Sequence, residues 1–418
     1  MLKQSYIYLI LQLLNIGISL FVTIYIAKNV DMQTFAIFAI YTIIVTLFMT
    51  FSFLGYESIL IRNVLHWKKI GKINKIKNYI SYALISRAVV SVLLTIPILL
   101  YIYYISINKF NDEHLLLFSS FIIAGFFSSL SNANALILKA FNKYILSFTI
   151  TTLSLIIGRL IAIYIFTIYG FYGFMLTLII IPIFTFLLSF LFVKSYFSFS
   201  HIRYKYFFKF KRNKYFILSG YLNYFKVSID QILVSIFLSV EILAVYNLAK
   251  KVEEIGRSII EGFFDPIIQK LVSFKNDINN AVKYKKKIYL IKNIFLLITI
   301  TFVIIFNLYI NDVIVVTELE HYKNLSYYLI FASWVPVLYI LFKVQSNIIY
   351  LFDHQKTLFK IDIFIGILTS LVMVLFFIID MENIIYLNRV VINIIVGIFF
   401  IYFYKNHFYK KSIFFKEN

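Results

Sequence analysis

Long apolar runs, separated by short polar gaps, repeat along the whole chain. A helix needs about twenty apolar residues to cross roughly 30 Å of hydrocarbon, and on this criterion the pattern predicts about twelve transmembrane helices. Their spans are predicted near 5–27, 35–61, 78–105, 114–138, 145–168, 171–193, 215–239, 243–269, 288–310, 325–350, 360–380 and 387–404. The pattern therefore predicts an all-α integral membrane protein.

The composition supports this class. Hydrophobic residues make up 61% of the 418 positions and charged residues only 14%, whereas a soluble domain is about half apolar and a quarter charged. A water-soluble chain of this length would still need a polar surface, so lipid must cover much of this one. Cysteine is absent, which excludes a disulfide framework, a thiol nucleophile and a thiolate metal site.

The basic residues, which give a net charge of +21, lie mainly in alternate gaps between the apolar runs. If the N-terminus is cytoplasmic, the opposite side of the membrane receives only Lys28, Lys109, Lys323 and Arg389. Such a bias marks the cytoplasmic face, so we expect both termini there. A nucleic-acid-binding protein would gather its basic residues on a soluble domain, and nucleic acid is therefore not an expected partner.

A basic segment divides the chain into two similar halves. We expect an N-terminal six-helix lobe over 1–193, a cytoplasmic linker over 194–214, a C-terminal six-helix lobe over 215–404 and a basic cytoplasmic tail over 405–418. An even number of helices makes both halves enter from the same side, as parallel repeats do. The outer loops are short, which leaves no extramembrane domain for separate chemistry.

Charged residues at membrane depth are costly and usually mark function, and helix eight carries most of them. Its charges recur at helical spacing and so share one face that should point into the bundle; they are Lys250, Glu254, Arg257, Glu261 and Asp265. They could pair along the helix, Lys250 with Glu254 and Arg257 with Glu254 or Glu261. Alternatively, Lys250 or Arg257 contacts substrate.

Other deep charges lie on other predicted helices. Arg87 and Arg159 have no carboxylate within a helical turn, so each requires an anion on another helix or on a ligand; the planar guanidinium suits phosphate. Lys226 and Asp230 are four residues apart and could neutralise each other, although Asp230 could instead exchange a proton. Lys343 lies beside a short polar run.

The polar residues near the ends of helices add less. Glu57 lies about one turn from the predicted cytoplasmic end of helix two, near Arg62, and we expect it to extend toward the membrane surface. All six histidines lie in loops or at predicted helix ends, without paired metal spacing. We therefore expect no metal, no cofactor and no catalytic residues.

Together the deep charges predict a hydrated, cationic cavity that accepts an anion. A cationic lumen within an apolar sheath suits a substrate with an anionic head and a lipid tail. The predicted substrate ligands are Arg87, Arg159, Lys226, Lys250, Arg257 and Lys343. The predicted ion-coupling residues are Asp230 and Glu254.

Several stretches resemble polysaccharide flippases of the O-antigen (Wzx) type, in the multidrug/oligosaccharidyl-lipid/polysaccharide (MOP) exporter superfamily. The stretches are Tyr6–Arg62, Ser228–Leu233, Phe237–Glu241, Tyr246–Lys251 and Phe264–Pro266. The family usually has glycine where Ala36 and Ala244 stand. The resemblance covers nearly the whole chain in length and topology.

The resemblance implies a MATE-like bundle of two six-helix lobes in the bacterial inner membrane. It also implies a substrate, an undecaprenyl-pyrophosphate-linked oligosaccharide, that moves from the cytoplasmic to the periplasmic leaflet by alternating access. The pyrophosphate would contact Arg87, Arg159, Lys226 and Lys250, with the prenyl tail in lipid. Other polysaccharide-assembly proteins are candidate partners.

Two alternatives remain open at this point. A membrane enzyme of polysaccharide assembly, such as an O-antigen polymerase, would need a large outer loop or soluble domain with acid and base residues. A cation-coupled drug exporter of the same superfamily should collect carboxylates for cationic drugs, but predicted helix one offers only Gln12 and Asn15. Both fit the pattern less well than a flippase.

Overall fold

The computed structural model describes residues 2–198 apart from 55, 111, 113 and 142, then 218, 221–222, 229–351 apart from 274–277, 355–379 and 385–403. Throughout these ranges the regular elements are helices, with no β-strand. The chain forms two compact units, Met1–Val240 and Glu241–Asn418. Most of the predicted linker 194–214, and all of the tail 405–418, lie outside the described residues, so the predicted lobe boundaries remain predictions.

The first unit is built around one central helix. Its described helices are α1 (Leu2–Asn29), α2 (Met32–Phe51), α3 (Tyr56–Lys69), α4 (Ile73–Phe110), α5 (Leu115–Ala140), α6 (Tyr144–Val193), a 3₁₀ turn (Lys194–Tyr196) and α7 (Ile229–Phe237). Helix α5 contacts α2, α3, α4 and α6. Its small residues Ala124 and Ala133 are fully buried, which lets neighbouring helices approach closely.

The predicted second span, 35–61, is interrupted in the structure. Helix α2 ends at Phe51, and α3 begins at Tyr56 after a short non-helical segment. Phe51, Phe53 and Leu54 keep the run apolar across this break, so hydrophobicity alone did not reveal it. The 14 residues of α3 are too few to cross the hydrocarbon.

Helix α6 contains a reversal of the chain at Gly170, where φ is 65° and ψ is −159°. The two arms then pack on each other: the rings of Phe166 and Phe174 lie 6.3 Å apart. A methyl group built on Gly158 would lie 2.6 Å from Cδ1 of Ile181. The reversal falls between the predicted spans 145–168 and 171–193, so this hairpin agrees with the sequence pattern.

The second unit packs its helices around an aromatic and aliphatic core. The helices are α8 (Val240–Ser273), α9 (Ile278–Leu308), α10 (Ile310–Val316), α11 (Leu325–Leu351), α12 (Gln355–Ile378) and α13 (Leu387–Phe403). Helix α11 contacts α9, α12 and α13. Phe264, Ile340 and Phe400 belong to one buried cluster that ties α8, α11 and α13 together.

Seven of the described helical stretches are long and apolar enough to cross a membrane. They are Ile10–Asn29, Met32–Phe51, Ile73–Phe110, Leu115–Ala140, Ile145–Tyr196, Lys283–Leu308 and Leu325–Ser346. Ile145–Tyr196 includes the reversal at Gly170 and so provides the length of two spans. The protein is therefore a multi-pass helical membrane protein; the count of twelve spans and the cytoplasmic termini remain predictions.

Candidate functional site

A buried carboxylate, Glu253 on α8, lies at the centre of a basic cluster in the second unit. Its side chain is 0% exposed and its Oε1 lies 3.0 Å from Nε of Arg257 and 3.8 Å from Nζ of Lys250. Arg389 on α13 donates to it through Nη2, and also through Nε to Oε2 at 3.2 Å. Tyr386 donates its hydroxyl to Oε2 at 2.7 Å. One carboxylate therefore holds three cations.

A second carboxylate, Glu261, lies two turns further along α8. It accepts a hydrogen bond from Tyr339 on α11 at 2.6 Å, and Nζ of Lys343 lies 3.5 Å from it. Lys343 also donates to the Tyr339 hydroxyl at 3.2 Å. The Arg257 guanidinium lies 5.1 Å from the centre of the Tyr339 ring, in cation–π range, and so joins this group to Glu253.

Close packing of α8 against α11 places these groups together. A methyl group on Gly256, beside Arg257, would lie 2.7 Å from Cβ of Pro336, so no larger residue fits at this crossing without displacement. The Tyr386 ring packs against the Tyr246 ring, with the ring centres 4.9 Å apart and the planes tilted by 41°. The tyrosine hydroxyl is thus fixed by its ring packing.

Among the residues that the structure describes, the ion pairs of this cluster involve more cations than carboxylates. Lys250, Arg257, Lys343 and Arg389 bring four cations, against the two carboxylates of Glu253 and Glu261. A buried excess of positive charge is costly in a low dielectric, and an anion that entered would relieve it. A cluster of this composition can therefore accept an anionic group.

The predicted pairing of Glu254 is wrong. Glu254 is 48% exposed and pairs with Lys251 at 3.3 Å, while its neighbour Glu253 holds Lys250 and Arg257. Both glutamates stand three or four residues from Lys250 and Arg257, so helical spacing could not choose between them. Burial decided the choice, and sequence reasoning missed Glu253. The predicted role of Glu254 in ion coupling is not tested by this geometry and stays a prediction.

Arg389 also belongs to the site, although the sequence pattern placed it only among the outer-side basic residues. It lies in the first turn of α13 and is 1% exposed. The side chain of Asn393, one turn later, donates to the Arg389 carbonyl at 2.7 Å and accepts from Arg257 Nη2 at 3.4 Å. The sequence signal for this role was its position, because Arg389 is a basic residue at the third position of the predicted apolar span 387–404.

Arg87 has a carboxylate partner after all, on another helix. Its Nε donates to Oε1 of Glu57 at 2.6 Å, and Nη1 donates to the carbonyls of Met49 and Ser129 at 3.3 and 3.1 Å. Arg87 and Glu57 are each 1% exposed. The expectation that Glu57 reaches the membrane surface near Arg62 is therefore wrong, because it neutralises Arg87 inside the first unit.

The remaining predicted residues lie elsewhere. Arg159 on α6 donates to Oδ1 of Asn15 on α1 at 2.9 Å. Asp230 is 1% exposed at the start of α7, and its Oδ1 accepts the amide hydrogen of Gln231 at 3.0 Å. Lys226 and the Asp265 side chain lie outside the described residues. Within the part of the chain that is described, no group of three His, Asp or Glu side chains could hold a metal.

The fold and this cluster define a class: a multi-pass helical membrane protein with a buried, cation-rich site. The chain also matches a family model described as "Polysaccharide biosynthesis protein" over residues 1–272, well over half of its length. It therefore belongs to that family, which confirms the resemblance to polysaccharide flippases of the MOP superfamily. A search of curated protein sequences found no significant match.

Solved structures share the fold across nearly the whole chain. The structure titled "Lipid II flippase MurJ, inward closed conformation" is 16% identical with a TM-score of 0.75, covering 96% of this chain and 88% of that one. An inward-facing multidrug resistance MATE family transporter of the MOP superfamily is 16% identical with a TM-score of 0.65, covering 94% and 93%. An outward-facing one is 14% identical with a TM-score of 0.64, covering 100% and 96%. The predicted MATE-like fold is thereby confirmed.

Proposed function

We propose that this protein is a flippase for a lipid-linked oligosaccharide. The cargo is an undecaprenyl-pyrophosphate-linked O-antigen unit or a similar oligosaccharide, moved from the cytoplasmic to the periplasmic leaflet of a bacterial inner membrane. The observation that carries the proposal is the group of three cations held around Glu253, in a chain of the polysaccharide biosynthesis family. The fold shared with a lipid II flippase supports it.

The pyrophosphate head is assigned to the basic cluster. Arg257 and Lys343 line its more exposed edge, and Lys250 lies deeper. A planar guanidinium binds phosphate oxygens bidentately, and an ammonium adds a compact charge. Arg159, which donates to the amide oxygen of Asn15, and Lys226 are proposed as separate substrate contacts in the first unit.

Arg87 is assigned a structural role instead. Its guanidinium already neutralises Glu57 and satisfies two backbone carbonyls. Releasing Arg87 to a ligand would leave Glu57 as an uncompensated buried charge, which costs several kcal/mol. We propose Asp230 for ion coupling because a buried carboxylate at the start of α7 can exchange a proton.

A deletion strain tests the proposed function. Loss of the protein should abolish surface polysaccharide while lipid-linked units accumulate on the inner leaflet, and the wild-type gene should restore export. Arg257→Gln should fail to restore it, whereas Lys251→Gln, at an exposed pair, should succeed. Accumulation of flipped but unpolymerised units would instead identify a polymerase, and normal surface polysaccharide would refute the assignment.

A further inference from the structure

Glu253 occupies the position that an anionic ligand would take in a basic site. Its two oxygens receive an arginine fork from Arg389, a tyrosine hydroxyl and the charges of Lys250 and Arg257. This is the donor set that recognises phosphate: charge-assisted N–H donors, one of them bidentate, with a supporting hydroxyl. The cluster thus contains its own anion.

The contacts of Glu253 divide between its two oxygens. Arg389 bridges both oxygens, with Nη2 on Oε1 and Nε on Oε2, and Tyr386 donates to Oε2. Lys250 and Arg257 approach Oε1. The contacts of Lys250 and Arg257 can therefore be given up while Arg389 and Tyr386 keep the carboxylate in place.

Exposure gives the cluster a direction of entry. The exposed fraction of the side chain rises from 0% at Glu253 to 14% at Arg257 and 46% at Glu261. Arg257 contacts both Glu253 and the Tyr339 ring, so it is the cation that an incoming anion reaches before Glu253. Lys343, beside Glu261, lies on the same side.

We propose that Glu253 is an internal counter-ion that exchanges with the diphosphate of the substrate. In the empty state it neutralises Lys250 and Arg257; when a diphosphate head arrives, these two cations turn to it while Arg389 and Tyr386 retain Glu253. Because of this exchange, the cations keep a counter-charge in the empty protein, and the competition with Glu253 limits how tightly the diphosphate head is bound. This inference rests on the proposed function and names the group that regulates release.

Removing the charge of Glu253 tests this exchange directly. Purified full-length wild-type protein and Glu253→Gln are compared by thermal unfolding in detergent, with inorganic pyrophosphate or farnesyl diphosphate as the probe. Without a probe, Glu253→Gln should unfold at a lower temperature, because its cations lose their counter-charge. With a probe, it should be stabilised at a concentration at least about tenfold lower than the wild type needs, since the competing anion is gone.

Matched variants separate exchange from a structural role. Two controls should need the same probe concentration for stabilisation as the wild type. One is Glu253→Asp, which keeps the charge; the other is Glu320→Gln, which makes the same charge change at an exposed loop position of this unit. Arg257→Gln should lose stabilisation by the probe. If Glu253→Gln is destabilised but gains no affinity for either probe, the exchange is refuted. Should Glu253→Gln fail to fold, unchanged probe binding by Arg257→Gln refutes it instead.

The outcome is distinguishable from that of the proposed function. If the wild type restores polysaccharide export but Glu253→Gln binds pyrophosphate no more tightly, the exchange is wrong and the flippase assignment stands. If export does not depend on the protein but Glu253→Gln binds pyrophosphate more tightly, the exchange stands and the cargo is a different diphosphate.

Discussion

The buried pair of Arg87 and Glu57 gives the sharpest test of the structural reasoning. The change is Glu57→Gln, which keeps the size of the side chain and removes its charge. Arg87 would then remain 1% exposed, hydrogen-bonded to the Met49 and Ser129 carbonyls but without the carboxylate of Glu57. Because a buried cation would lose its counter-charge, the first unit should be strongly destabilised.

The size of the effect follows from the burial of both partners. Breaking a buried ion pair by removing one member costs about 3–5 kcal/mol, whereas replacing both members by apolar residues is often nearly neutral. We therefore expect Glu57→Gln and Arg87→Met each to lose about 3–5 kcal/mol. The double variant Glu57→Leu with Arg87→Met should lose much less than the sum of the single losses.

Equilibrium unfolding of the purified protein in detergent measures these differences. The exposed pair Lys251 and Glu254 is the matched control, and neutralising Glu254 there should cost at most about 1 kcal/mol. The reasoning fails if Glu57→Gln behaves like this control, or if the losses of the two single variants simply add. Polysaccharide export by a stable double variant would further support a structural role for Arg87.

Three further predictions concern local geometry. Gly170→Ala should destabilise the α6 hairpin by about 1–3 kcal/mol, because φ of 65° with ψ of −159° is strained for any side chain, and thermal unfolding measures the loss. Gly256→Ala should cost about 1–3 kcal/mol through its clash with Pro336 and should also weaken pyrophosphate binding, whereas Gly17→Ala, in open space, should do neither. Asp31 caps α2 through Thr34, and although burial opposes ionisation of its carboxyl, the hydrogen bonds prevail and lower its pKa. The stabilising effect of Asp31 is therefore present above the ordinary pKa of the carboxyl and is lost as the pH falls through the lowered value. Asp31→Asn, which keeps a cap, should flatten this acid dependence of the melting temperature; an unchanged acid slope would contradict the assignment.

Sequence pattern predicted the helices well because lipid imposes a simple rule. A membrane helix must stay apolar over a fixed length, so α4, α5, α9 and α11 are visible as hydrophobic runs. The break between α2 and α3 was missed because it has no polar signature. Gly170 was placed correctly between two spans because the length of the run required a reversal.

The partners of the deep charges could not be predicted from local spacing. Glu57 and Arg87 are 30 positions apart, and Glu253 and Arg389 are 136 apart, so each pair is created only by helix packing. The residue types were informative: a charge at depth does require a counter-charge or a ligand. Which of the two applies depends on tertiary structure, and here most of the predicted ligands have protein carboxylates beside them.

The reversal at Gly170 also fixes the rotational setting of the arm that follows it. Gly170 is the one residue of this turn with non-helical backbone angles, so the turn cannot absorb a change in chain length. Each residue of a helix turns the next by about 100°, and adding or removing one residue beside Gly170 would swing Phe174 and Met175, which are now fully buried, toward lipid. Apart from Gly170 itself, this corner should therefore tolerate substitutions far better than insertions.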